Sequence, residues 1–268
     1  MGQASNDKPD ILIVTVTPIE CESVKTVFRA ETGRNYKERS LEEFVYYDFG
    51  EIGGARVWMV RSAGMGNEGT TGSTMSIQKA IKETSPQAII MVGIAFGIKQ
   101  NEHQIGDVLI SRQIIAYESQ KIGPTGVYAR GDRMSATSRL IQKFENNAQE
   151  WSKTEDGVRV YCGLILSGNK LVDTLDFRSQ LINLEPEAIG GEMEGAGLSA
   201  AAYENHVDWI LIKAISDWGD GHKDEEKHTR QILAAANAAR LTHYVLGKGN
   251  VIRSARTSPS GFENHSGQ

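Results

Sequence analysis

Short, almost wholly apolar runs alternate along this chain with segments whose apolar residues recur every three or four positions. Residues 11–17 (ILIVTVT), 88–94 (AIIMVGI) and 209–215 are apolar on both parities, the pattern of strands buried on both faces. Further strands are expected over 108–117, 158–166 and 189–193, and a hairpin over 43–50 and 55–61 around the Gly53-Gly54 turn. The helical period predicts helices over 19–30, 69–84, 137–151, 195–205 and 224–246. The second of these stops at Ser85-Pro86, because proline disfavours the helical region for the residue before it. Residues 121–135 read as a Gly-, Pro- and Arg-containing loop. Apolar strands between helices need cover on both faces, and the hairpin makes the sheet mixed. The expected fold is therefore α/β, a three-layer α/β/α sandwich with a central mixed sheet. No repeat or linker divides residues 10–247, so one domain is expected there. A flexible N-terminus over 1–9 and a disordered, Gly/Ser-rich tail over 248–268 flank it.

Composition narrows the classes of function. The chain has 268 residues, 40% of them apolar, enough for a sizeable core. Lys and Arg number 29 against 34 Asp and Glu, a net charge of −5 that argues against a duplex nucleic-acid partner. Cys21 and Cys162 lack Cys-x-x-Cys spacing and read as reduced thiols. Residues 1–9 are polar, without the apolar segment of a secretion signal, and no apolar run approaches the ~18 residues of a membrane helix. The expectation is a soluble cytoplasmic protein with no membrane partner.

Four segments carry candidate chemistry. Gly64-Met65-Gly66-Asn67-Glu68-Gly69 is a literal GxGxxG between strand and helix. A dinucleotide fold would also place an acid at the end of the next strand, which here closes on Gly93-Ile94-Ala95-Phe96-Gly97. A tight turn that brings backbone near a ligand is the better reading. Glu192-Met193-Glu194 stands at a strand-to-helix junction, where alternation in an extended chain turns only one carboxylate toward a given pocket. Such a carboxylate suits a ribose diol, because it can accept two hydroxyl hydrogen bonds; helix capping is the plainer alternative. Ser216-Asp217 follows an apolar strand, where open α/β sheets bind ligands. Glu20-Cys21-Glu22 opens the first helix, where the helix dipole favours carboxylates whatever their role. His222 and His228 are six apart and share no helix face, so no metal site is read there.

Taken in order, these segments resemble the nucleoside phosphorylase/nucleosidase superfamily over residues 10–247, near the methylthioadenosine/S-adenosylhomocysteine nucleosidases. The resemblance rests on Thr17 to Glu22, Val92 to Gly97, Ile105-Gly106-Asp107-Val108, Leu166 to Val172, Glu192-Met193-Glu194 and Ser216-Asp217. It implies Asp217 as the acid that protonates purine nitrogen 7 and Ser216 as its holder. It also implies Glu22 as the base on the attacking water, Glu194 on the ribose hydroxyls and Met193 beneath the sugar. Gly93 and Phe96 fall in the glycine-rich strand end, and the Val172 backbone would read the purine edge. The implied chemistry needs no cofactor and no metal. Family members are dimers or assemblies of dimers, so a homodimer or such an assembly is expected, with a purine nucleoside or nucleotide as small-molecule partner.

Phosphorylases of the superfamily hold phosphate with arginines and a serine near these strand ends. This chain has Met91 and Ile94 at the matching places, and Glu20 and Glu22 would repel the anion. Hydrolysis is therefore expected over phosphorolysis. The residue expected to stack on adenine is Leu171, with Phe96 or Trp218 as possible substitutes. Lys121, Arg130 and Arg133 have the chemistry a 5′-phosphate or triphosphate needs, although a solvated basic loop would look the same. The segments at 93–97, 190–197 and 209–221 further resemble effector domains of bacterial antiviral and fungal immune-like systems, some of which look like adenine nucleotide nucleosidases. The expected substrate is an adenine nucleotide of the AMP/ATP class, or adenosine. A methylthioadenosine nucleosidase, a purine nucleoside phosphorylase and a non-catalytic nucleoside sensor remain alternatives.

Overall fold

The computed structural model describes residues 8–62, 72–123, 126–129, 131–155, 157–170, 172, 174–221 and 226–252, with backbone alone at 120–123 and 126–129. Strand β1 (Ile11–Thr15) leads into helix α1 (Pro18–Thr32), followed by β2 (Lys37–Leu41), β3 (Phe44–Ile52) and β4 (Ala55–Arg61). Helix α2 (Ser73–Thr84), β5 (Ala88–Gly97), β6 (Val108–Ala116), β7 (Gln120–Gly123), β8 (Gly126–Ala129) and β9 (Arg133–Ser135) come next. Then follow α3 (Ser138–Ser152), β10 (Val160–Ser167), α4 (Leu175–Leu184), β11 (Ala188–Glu192), α5 (Gly195–Glu204), β12 (Asp208–Asp217) and α6 (Lys227–Gly247).

The main sheet runs β11-β10-β6-β12-β5-β1-β4-β3-β2, with β9 added against β6. It is mixed, as the hairpin requires: β1, β5 and β12 are mutually parallel, while β3 and β4 are antiparallel. Helices α1, α3 and α6 pack together on one face, and α2 packs with α5 on the other. Between them β1, all of β5 but the half-buried Ile94, and the inner part of β12 are buried, which is why their sequences are apolar on both parities.

One end of the sheet does not stay open. Strand β11 pairs in parallel with β10 and also antiparallel with β5, through Gly190 opposite Gly97 and Gly191 opposite Phe96. Strands β5, β12, β6, β10 and β11 thereby close into a ring. The glycines are what allow this. A methyl group at Gly191 would overlap the Phe96 ring, and one at Gly190 would meet Leu109 and the Phe96 carbonyl. Gly191→Ala is therefore expected to lower stability by about 1–3 kcal/mol through overpacking. A urea midpoint unchanged from wild type would refute that reading of the closure.

Several sequence expectations are revised. Strand β2 (KERSL) has no apolar alternation and is mostly exposed at the sheet edge, so no pattern announced it. Helix α4 fills what had no assigned element, and β7, β8 and β9 lie within the expected 121–135 loop. The chain ends assigned as loose are partly packed. Pro9 is buried, and residues 248–252 dock on the domain: Lys248 bonds Glu150 at 3.0 Å, Val251 is buried and its carbonyl accepts from Arg139. The GxGxxG at 64–69, the start expected for the second helix, and residues 1–7 and 253–268 lie outside the described residues. Cys21 and Cys162 are unpaired thiols, and no helix among the described residues is long and apolar enough to cross a membrane.

Candidate active site

The carboxyl ends of β1, β5, β11 and β12 converge where the ring closes, and a cavity of about 260 Å³ opens there. Ligands of open α/β sheets bind in such crevices beyond the strand ends. Five acidic side chains from three distant stretches line it: Glu20, then Glu192 and Glu194, then Asp217 and Asp220.

Glu20 is placed by the start of α1. Thr17 and Glu20 form a reciprocal capping box, the Thr17 hydroxyl accepting the Glu20 N–H at 3.3 Å and the Glu20 carboxylate accepting the Thr17 N–H at 2.7 Å. The same Oε2 accepts from Val16 N–H at 2.9 Å, and Oε1 accepts from Ile94 N–H at 2.8 Å. Three backbone donors thus occupy most of the roughly four lone-pair sites of one carboxylate and leave space for one more proton donor. Gly93 makes the reach from α1 to β5 possible, because a side chain there would run into the Glu20 carboxylate.

Asp217 is aimed by a bulge. In β12, Ile215 pairs with Ala95 and Asp217 with Phe96, leaving Ser216 as the extra residue. Bulges re-aim side chains at strand ends, and this one sets Asp217 and the buried Ser216 at the cavity. The Ser216 hydroxyl donates to Asp217 Oδ2 at 2.8 Å, and Gly219 N–H donates to Oδ1 at 3.0 Å. Arg178 of α4 donates to the Trp218 carbonyl at 3.1 Å and tethers the same segment.

Strand β11 stops at Glu192, so the alternation assumed for Glu192-Met193-Glu194 does not continue, and all three line the cavity. The two carboxylates differ in what they touch. Glu192 accepts the N–H groups of Glu194 and Gly195, each at 2.9 Å, and so caps α5. Glu194 is buried at the N-cap position of α5. Phe96, Met193 and Val172 supply apolar lining.

Two expectations are corrected by placement. Glu22 does not join the other acids: its side chain is 68% exposed, bonds Lys25 at 2.9 Å, and faces a separate groove between α1 and α6. The reason is helical geometry, since residues two apart on a helix point to different faces. Arg133 is not among the cavity-lining residues; on β9 it pairs with Glu185 at 2.6 Å and Glu187 at 3.8 Å. Trp218 packs against Gly97 and is not among the lining residues either. Leu171, Arg130, His222 and the side chain of Lys121 lie outside the described residues.

A family model described as the phosphorylase superfamily matches residues 10–247. The chain belongs to the phosphorylase superfamily. It is 28% identical over 254 residues to a death domain-containing ATP nucleosidase of Amphimedon queenslandica, covering 87% of this chain and 48% of that protein. ATP nucleosidase Cap17 of Escherichia coli is 26% identical over 254 residues, covering 85% and 50%. The chain spans about half the length of these two curated relatives. A 5′-methylthioadenosine/S-adenosylhomocysteine nucleosidase of Haemophilus influenzae is 28% identical over 194 residues, covering 72% of this chain and 81% of that protein. Among solved structures, the methylthioadenosine/S-adenosylhomocysteine nucleosidase of Neisseria meningitidis, in complex with methylthio-immucillin-A, matches with a TM-score of 0.73 at 22% identity. That match covers 88% of this chain and 98% of that one, and it speaks to the fold alone.

In this member of the phosphorylase superfamily, sequence reasoning missed a cation under the acids. Lys213 is 1% exposed, and its ammonium lies 3.7 Å from both Glu192 Oε2 and Glu194 Oε2. Burial disfavours its charge, but the carboxylates of Glu20, Glu192 and Glu194 outweigh that and hold Lys213 above the ordinary lysine range. The signal was available: a lysine inside a strand otherwise apolar on both faces must find buried partners. A second omission is the first turns of α6, where Lys227, Arg230 and Gln231 line the cavity at helical spacing.

Proposed function

We propose that this chain is a nucleosidase, an N-glycosyl hydrolase that cuts the purine–ribose bond of an adenine nucleoside or nucleotide. The observation that carries the reading is the meeting of Asp217, Glu194 and Glu20 around one cavity from separate strand ends. Asp217, steadied by Ser216 and the Gly219 N–H, protonates nitrogen 7 of the base, so that the base departs as a neutral molecule. Glu194 accepts the ribose hydroxyls, Met193 packs beneath the sugar, and the Val172 backbone reads the purine edge beside Phe96. As the bond lengthens, the sugar becomes oxocarbenium-like, and the nearby carboxylates stabilise its positive charge. Glu20, held by three backbone N–H groups, takes the proton of the attacking water through its remaining acceptor site.

Water is favoured over phosphate as nucleophile because the place beside Ile94 is filled by the Glu20 carboxylate, which repels an anion at short range. The names of the relatives, ATP nucleosidase and methylthioadenosine/S-adenosylhomocysteine nucleosidase, support the same reaction class. The test is free adenine released from adenosine, methylthioadenosine, AMP and ATP, with and without added phosphate. Release independent of phosphate is expected. Strict dependence on phosphate would make the chain a phosphorylase, and binding without turnover would make it a sensor.

The choice between the two glutamates has its own test. Glu20→Gln is expected to lower kcat by about 10²-fold or more, while Glu22→Gln stays within about twofold of wild type. The reverse order would return the base to Glu22.

A further inference from the structure

We infer that the first two turns of α6 form a polyphosphate subsite, with Lys227 and Arg230 as its cationic ligands and Gln231 as a neutral donor. This rests on the nucleosidase reading above and names what the substrate carries on its 5′ carbon. Among the described residues that line the cavity, Lys227 and Arg230 are the cations. Their spacing of three and four positions stacks Lys227, Arg230 and Gln231 on one helix face. All three are half-buried and line the cavity. The opposite face of α6, through His228, Ile232 and Ala236, lines the separate groove with Glu22.

A nucleoside carries no negative charge for these cations to complement. Its hydroxyls are met by Glu194, its base by Asp217, and neither needs a positive charge several residues along a helix. An anionic tail does, and guanidinium and ammonium groups on one face are the chemistry that recognises phosphate oxygens. The cations replace the role first read into Arg133, which is engaged by Glu185 and Glu187. Asp220 also lines the cavity, and its carboxylate opposes an anion there.

The experiment measures binding by calorimetry, on the full chain carrying Asp217→Asn to suppress turnover, for ATP, AMP and adenosine. Lys227→Gln and Arg230→Gln are added singly and together, and Asp220→Asn separately. Each lost cation is expected to weaken ATP binding about ten- to hundredfold, AMP less, and adenosine less than about twofold. Asp220→Asn is expected to tighten ATP. Equal losses for ATP and adenosine would overturn the subsite and make these residues structural parts of the base and sugar pocket. So would wild-type cations that bind ATP no better than adenosine, or not at all. If the binding pattern holds but the chain with Asp217 intact releases no adenine, the nucleosidase reading fails while the subsite stands.

Discussion

Asp217→Asn is expected to slow adenine release by about 10²–10⁴, with KM changed far less. Asparagine keeps the size of the side chain and an oxygen for the Gly219 N–H, but it has no proton to give to the leaving base. The loss therefore isolates proton donation from packing. The effect should appear in kcat and kcat/KM together, because the acid interacts with the base most strongly in the transition state. A loss below tenfold would sink the assignment of Asp217 as the acid and leave it a residue that merely orients the base.

The second large effect is on stability. Lys213→Met removes the ammonium that faces Glu192 and Glu194 and interacts electrostatically with Glu20, and leaves these buried carboxylates without their shared cation. Breaking a buried charge cluster in this way costs about 3–5 kcal/mol. Lys213→Arg keeps the charge and should retain most of the stability, so the pair of variants separates charge from shape. Urea unfolding of the two variants reads the difference directly, and a methionine variant within about 1 kcal/mol of wild type would refute the role. The pH dependence has a definite sign. Because the native lysine binds its proton more tightly than the unfolded one, its stabilisation is complete below about pH 10 and declines as pH rises through the higher native value. Across the neutral range the lysine's contribution is constant.

The same cluster explains why the site tolerates so many acids. Glu192 is taken up with the N–H groups of α5, Glu20 with those of Val16, Thr17 and Ile94, and one buried cation serves them jointly. On the nucleosidase reading, Glu194, the last acceptor site of Glu20 and Asp217 are the groups that meet the ligand. That division suits a reaction in which positive charge grows on a sugar, since the negative charge is in place before the bond breaks.

Local pattern was enough for the main strands and helices, because burial on both faces writes itself as continuous apolar runs and helix packing as a period near 3.6. It was enough, too, for the segments that meet at the cavity, since Glu192-Met193-Glu194 and Ser216-Asp217 sit at strand ends where an α/β sheet must present its ligands. Edge strand β2 and the short strand β9 left no such trace, because exposed strands bury too little to need an apolar pattern. Which glutamate of α1 reaches the site was not legible from charge alone. The Thr17 capping box draws Glu20 back toward the strand end, while two positions on, Glu22 is carried to the solvent face. The partner of Lys213, the closure of β11 on β5, and the cations of α6 are long-range pairings between residues far apart in the chain. Each depends on which strand lies beside which, and that is settled only when the whole sheet has chosen its order.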